Sequence, residues 1–99
     1  MRMTYAVLTA PAVMTSEDVD SSTAIDILWA VARPEDLIEH IYVRGGTHRM
    51  ILVFYHLAVD APAGVEVVAN LCRRARHTSP LLHRWNVTAI CPEPLFDQR

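Results

Sequence analysis

The sequence predicts a single α+β domain in which an antiparallel sheet carries one main helix on one face. Three observations lead there. The chain has 99 residues, 52% of them hydrophobic, which is enough for one core and one domain and too apolar for a disordered chain. Apolar side chains recur at helical spacing through Val65, Val68, Cys72 and Ala75. Two glycines, Gly45 and Gly46, stand between β-rich runs, where a hairpin turn needs residues that tolerate positive φ.

Taken in order, residues 3–8 read as a short strand. Residues 9–22, with Pro11 and a polar run from Thr15 to Ser22, read as a mobile loop. Residues 23–32 read as a strand, because Ile25, Ile27, Trp29 and Val31 alternate with Asp26, Leu28 and Ala30. Pro34-Glu35-Asp36 opens a helix, since proline suits a first turn and carboxylates suit its positive end. That helix either runs to His40 or stops after one turn and gives way to a strand. After the glycines, residues 48–59 form a β-rich run that is apolar on both faces, as a central strand would be. Fully extended it would span roughly 40 Å, so a bend or an overhanging end is expected. Asp60 is placed to cap the main helix, whose stripe of Val65, Val68, Cys72 and Ala75 is flanked by Ala69 and Leu71. Glu66, Asn70, Arg73, Arg74 and His77 take its outer side, and Thr78-Ser79-Pro80 ends it. Residues 85–90 form a last strand. The domain therefore spans residues 23–91, between an N-terminal strand and loop (1–22) and a C-terminal tail (92–99). Its order of strand, short helix or turn, hairpin, helix and strand resembles that of a ferredoxin-like sheet, in element order only.

Composition narrows the function classes. The net charge is −2, but residues 1–39 hold two arginines against seven carboxylates, and the remainder seven arginines against four. Such halves neutralise each other within the fold or across a dimer. The nine basic residues are all arginine, a side chain suited to planar recognition of carboxylate or phosphate. Arg73, Arg74, Arg76 and His77, followed by His83 and Arg84, form the one basic stretch. Only three arginines crowd the helix and the domain is not basic overall, so nucleic acid is not the expected partner. No segment is long enough to span a membrane. The apolar run after Arg2 is short, broken by Thr4 and Thr9, and closed by Pro11, which argues against a secretory leader and for a cytoplasmic protein. Cys72 falls on the apolar stripe and is expected as a buried, reduced thiol. Cys72, His77, His83 and Cys91 lack the tight spacing of a zinc site, so no metal or cofactor is expected. Neither a Gly-rich phosphate loop nor a nucleophile elbow is present.

A two-residue Gly45-Gly46 loop would pair Arg44 with Thr47, Tyr42 with Arg49, and His40 with Ile51. Alternation then puts His40, Tyr42, Arg49, Ile51, Val53, Tyr55 and Leu57 on one face. Ile41, Val43, Met50, Leu52, Phe54 and His56 lie on the face that the helix covers, with His56 as a hydrogen-bonded core histidine. One helix covers one face, so Ile51, Val53, Tyr55 and Leu57 are the candidate interface residues and a second copy of the chain is the expected cover. The leading expectation is a small non-enzymatic binding or assembly module that forms a homodimer. The alternative is a small enzyme with a pocket on that face. There His40 would act as general acid or base, Tyr42 or Tyr55 as a second proton carrier, and Arg49 as the anchor for a small anionic or aromatic ligand. Arg49 could also stack on Tyr42.

Overall fold

Two α-helices cover one face of a four-stranded antiparallel sheet in the computed structural model, which describes residues 1–10, 20–45 and 48–92. The elements are β1 (Arg2–Thr9), α1 (Ser21–Val31), a 3-10 turn (Pro34–Asp36), β2 (Ile38–Gly45), β3 (Arg49–His56), α2 (Ala61–Thr78) and β4 (Asn86–Pro92). Across the sheet the strands lie β2-β3-β1-β4, each antiparallel to its neighbour. The α+β class is as the sequence predicts, and the order β-α-β-β-α-β is the one that defines a ferredoxin-like sheet. Most of the loop expected over residues 9–22, and the tail after Pro92, lie outside the described residues.

One element differs from its sequence reading. Residues 23–31 of the expected strand 23–32 lie in helix α1, with Ala32 as its C-cap, so the sheet carries two helices rather than one. The Asp20 carboxylate accepts the Thr23 amide at 2.8 Å and caps the first turn. Thr23, through its amide and its hydroxyl, holds the Asp20 carboxyl below the usual carboxylate range. Ala24 and Leu28, one turn apart, are fully buried, while Ile25, Ile27 and Val31 pack at the margin of the core. The alternation of large side chains that suggested a strand had missed Ala24, whose small side chain marks the buried stripe. The ambiguous stretch that follows resolves to a single turn followed by a strand. Leu37 ends the turn with φ 59° and ψ 35°, a left-handed conformation that costs a non-glycine residue roughly 1 kcal/mol. The strand hydrogen bonding is continued there, because the Leu57 amide donates to the Leu37 carbonyl at 3.0 Å.

β1 is a central strand, between β3 and β4. The hairpin joins β2 to β3 as expected, but with a longer loop: Tyr42 faces Val53, His40 faces Tyr55 and Arg44 faces Ile51. Arg49 therefore does not pair with Tyr42; its partner is Thr9 of β1. The displacement is an even number of residues, so every side chain stays on its expected face. Gly45 closes β2 without a positive φ, and Gly46 lies outside the described residues.

The core fills the space between the sheet and the helices. Ala6, Leu8, Ile41, Met50, Leu52 and Phe54 point up from the strands and meet Ala24, Leu28, Val68, Leu71, Cys72 and Ala75. Leu82 and Trp85, between α2 and β4, close one end. Burial pushes the Cys72 thiol up to about 12, which keeps it protonated and inert at neutral pH. Phe54 and Val68 are both fully buried, as the facing of sheet and stripe requires.

The other end is closed by a polar contact. His56 and Thr4 are both buried, and His56 Nε2 lies 2.7 Å from Thr4 Oγ1. The Ala58 amide donates to His56 Nδ1 at 3.3 Å, so Nε2 carries the proton and donates to the threonine oxygen. Helix α2 starts directly above, with Asp60 as its cap accepting the Ala63 amide at 2.8 Å. Gly64 is the residue that lets the helix come this close. A Cβ there would stand 2.8 Å from His56 Nε2 and 3.0 Å from Thr4 Oγ1.

Two substitutions check this packing. Phe54→Ala should lower stability to chemical denaturation by about 3–5 kcal/mol, and a loss below about 1 kcal/mol would mean that Phe54 is not in the core. Gly64→Ala should be destabilising, although helix propensity alone favours alanine by about 1 kcal/mol; the sign of the change in denaturation midpoint separates the two effects.

Candidate functional site

Because both helices lie on one side, the opposite sheet face carries its own set of side chains. β3 contributes Arg49, Ile51, Val53 and Tyr55, and pairing places Thr9, Val7, Tyr5 and Met3 of β1 beside them. β4 adds Ala89 and Cys91, opposite Val7 and Tyr5, after a register shift that realigns the strand. β2 adds His40, Tyr42 and Arg44. Ile51, Val53, Tyr55, Met3, Tyr5 and Val7 are all half-buried, and among the described residues both helices lie on the other face. The expected interface residues Ile51, Val53 and Tyr55 thus form a contiguous row, and β1 doubles its width. Leu57 lies just past the end of β3, and it is exposed.

Three of the candidate site residues come together at one end of this face. The His40 and Tyr42 rings stack with centroids 6.3 Å apart. Tyr55 meets both rings edge-on, at 6.4 Å from His40 and 5.7 Å from Tyr42, within or near the range of favourable aromatic pairs. Beside them is a hollow of about 420 Å³ lined by Met3, Tyr42, Val43, Arg44, Val53 and Tyr55. Arg49 is not part of this group. It is six residues from Tyr55 along β3, roughly 20 Å in an extended strand, and the arginine at the hollow is Arg44. The sequence contained the signal for Arg44, which shares the face by alternation. The assumed two-residue loop paired it with Thr47 and moved Arg49 into its place.

The histidine on the covered face has a structural role. Burial, and after it the positive charges of Arg2 and the chain N-terminus, lower the His56 pKa from its ordinary 6.5. Its Nε2–H and Nδ1 are both engaged with the protein.

Much of the basic stretch is likewise committed to the fold. Arg74 reaches across from α2 to the end of α1, donating from Nε and Nη2 to the Val31 carbonyl at 3.1 and 3.0 Å. The same guanidinium pairs with the buried Asp36 carboxylate at 2.5 Å, and Asp36 also accepts the Arg33 amide at 2.9 Å. Arg76 donates to the Trp85 carbonyl at 2.5 Å and to the His83 carbonyl at 3.5 Å. Arg73 donates to the Asn70 side-chain oxygen at 2.6 Å on the exposed side. Sequence reasoning missed the two structural arginines because their acceptors are mostly backbone carbonyls, which residue type does not disclose.

Among the described residues, no three His, Cys, Asp or Glu side chains gather as metal ligands, and no helix is long and apolar enough to cross a membrane. Cys72 and Cys91 are free thiols. No family model, curated protein or solved structure matches the chain.

The lowered pKa of His56 gives a pH dependence with a definite sign. The folded state holds its proton less tightly than the unfolded chain, so the neutral-histidine contribution to stability is complete above about 6.5 and is lost as pH falls below it toward the folded pKa. In an NMR titration the His56 ring should protonate below the ordinary histidine value of 6.5. A His56 resonance that titrates at or above 6.5 would contradict the buried, hydrogen-bonded assignment.

Proposed function

We propose that this protein is a non-enzymatic assembly module whose open sheet face pairs with the same face of a second copy. The observation that carries the reading is the row of Met3, Tyr5, Val7, Ile51, Val53 and Tyr55, all half-buried on the face opposite both helices. Four strands spaced about 4.8 Å apart and some eight residues long make a footprint on the order of 500 Å². Side-chain relief raises the accessible area toward the roughly 800 Å² per partner that stable dimers bury. A contiguous apolar row of this kind, rimmed by polar residues, is the sort of surface that marks interaction sites. Twofold pairing is the commonest way to cover such a face, and two sheets stacked about 10 Å apart interdigitate as in a sandwich core. The central strands carry the apolar residues, while His40, Tyr42 and Arg44 stand on the edge strand, an apolar centre with a polar rim. The free thiols Cys72 and Cys91 fit a reducing, cytoplasmic setting.

A second reading rests on the ring cluster. His40, Tyr42 and Tyr55 beside the hollow that holds Arg44 have the chemistry for proton transfer on a small anionic or aromatic molecule, with Arg44 as the anchor. Shifts of the Tyr42 and Tyr55 ring resonances with benzoate, in a variant that has lost the dimer, would favour this reading over assembly.

Sedimentation equilibrium tests the leading proposal. The wild-type chain should sediment at about twice 11.1 kDa at micromolar concentration. Val53→Arg places a charge at the centre of the contact and should yield a folded monomer, with circular dichroism unchanged. Wild type that remains at 11.1 kDa at tens of micromolar would defeat the assembly reading.

A further inference from the structure

The ends of α1 and α2 meet on the helix side of the molecule, far in character from the apolar sheet face. A cleft of about 470 Å³ opens between them, lined by Val31, Arg33, Arg73, Arg74, His77 and Thr78. That volume is within the range of small-molecule sites. Three arginines and a histidine line this one hollow, in a chain whose net charge is −2.

The charges are not equivalent. Arg74 is spent on Asp36 and on the Val31 carbonyl, and it neutralises both the carboxylate and the negative end of α1. Arg33 and Arg73 are exposed, and among the described residues no carboxylate pairs with either guanidinium. Arg73 holds only the Asn70 amide oxygen, which leaves its charge intact. His77 and Thr78 add donors at the same wall. Two exposed arginines lining one hollow offer the planar donor forks that suit the oxygens of a phosphate.

Arg33 also lines a second hollow, of about 330 Å³, with Trp29, Ala32, Pro34, Leu37, Ile38 and Glu39. Trp29 is 43% exposed and Leu37 45% exposed there. Leu37 is the one described non-glycine residue with a positive φ, and strain of that kind concentrates at ligand sites. The arginine cleft and the tryptophan hollow therefore share a wall at Arg33. One offers charge and the other the exposed Trp29 ring, with Glu39 also in its lining.

We propose that this composite groove binds a small organic phosphate that carries a flat ring, with the phosphate held by Arg33 and Arg73 and the ring against Trp29. The site is independent of whether the sheet faces pair. Phenyl phosphate is the probe, with inorganic phosphate and phenol as its two halves, followed by ¹⁵N NMR of the full chain. The Trp29 indole N–H signal should shift while that of the buried Trp85 does not. Phenyl phosphate should bind at least tenfold more tightly than either half. Arg33→Ala with Arg73→Ala should weaken it at least tenfold, and Trp29→Ala should reduce it to the level of inorganic phosphate; all three side chains are exposed, so these variants should fold. Three results would overturn the proposal: no shift at Trp29, binding unchanged in the double arginine variant, or binding of phenyl phosphate no tighter than that of phenol. Displacement of phenyl phosphate by a single-stranded oligonucleotide with steep salt dependence would overturn it too, in favour of a nucleic-acid backbone.

Discussion

The pleat of a strand buried on one side constrains everything else in this molecule. Along β3, Met50, Leu52, Phe54 and His56 are buried and Arg49, Ile51, Val53 and Tyr55 are not. Both helices answer to the first set, and their own buried stripes, Ala24 with Leu28 and Val68 with Leu71, Cys72 and Ala75, exist to meet it. A shift of one residue in any strand would exchange these sets and leave the core without partners. The same constraint makes the opposite face a by-product. Because β-branched and aromatic residues stabilise central strands, that face is apolar too, and no helix among the described residues covers it.

Polar contacts then decide how the helices sit. At the start of α2 the His56–Thr4 pair occupies space that a side chain on the helix would need, and Gly64 leaves it free. At the other end Arg74 ties α2 to the last turn of α1 and to Asp36 in the turn that leads into β2. Arg76 does the same for the Trp85 and His83 carbonyls before β4. Arginine suits this work because its planar fork can satisfy a carbonyl and a carboxylate together. Arg33 and Arg73 line the cleft beside Arg74 without a carboxylate partner among the described residues, and that difference separates structural charge from charge available to a ligand.

Surface chemistry is thus divided between the two sides of the sheet. The open face presents apolar area with an aromatic corner, and the helix side presents arginines next to an exposed tryptophan. An apolar sheet face suits contact with a like surface, where shape and area dominate. A charged groove with one aromatic wall suits a small polar molecule, where a few placed groups dominate.

The sequence by itself determined what depends on neighbours along the chain. Asp60 as a cap, most of the α2 stripe (Val68, Cys72 and Ala75, with Leu71 buried in place of the half-buried Val65), the β2–β3 hairpin and the division of their residues between two faces follow from local periodicity and turn chemistry and are found in the structure. The grouping of His40 and Tyr42 with Tyr55 was legible for the same reason: parity survives any even change in loop length. Only the tertiary structure decided the rest. Residues 23–32 fit both a period of two and a period near 3.6 over ten residues, and burial of Ala24 and Leu28 against the strands broke the tie in favour of a helix. The loop after Gly45 set which arginine reached the aromatic corner, and a displacement of four residues exchanged Arg49 for Arg44. The partners of Arg74 and Arg76 lie 43 and 9 residues away in the chain, at carbonyls that every residue type shares. A pattern of side chains cannot encode such acceptors, because their positions exist only once the chain has folded.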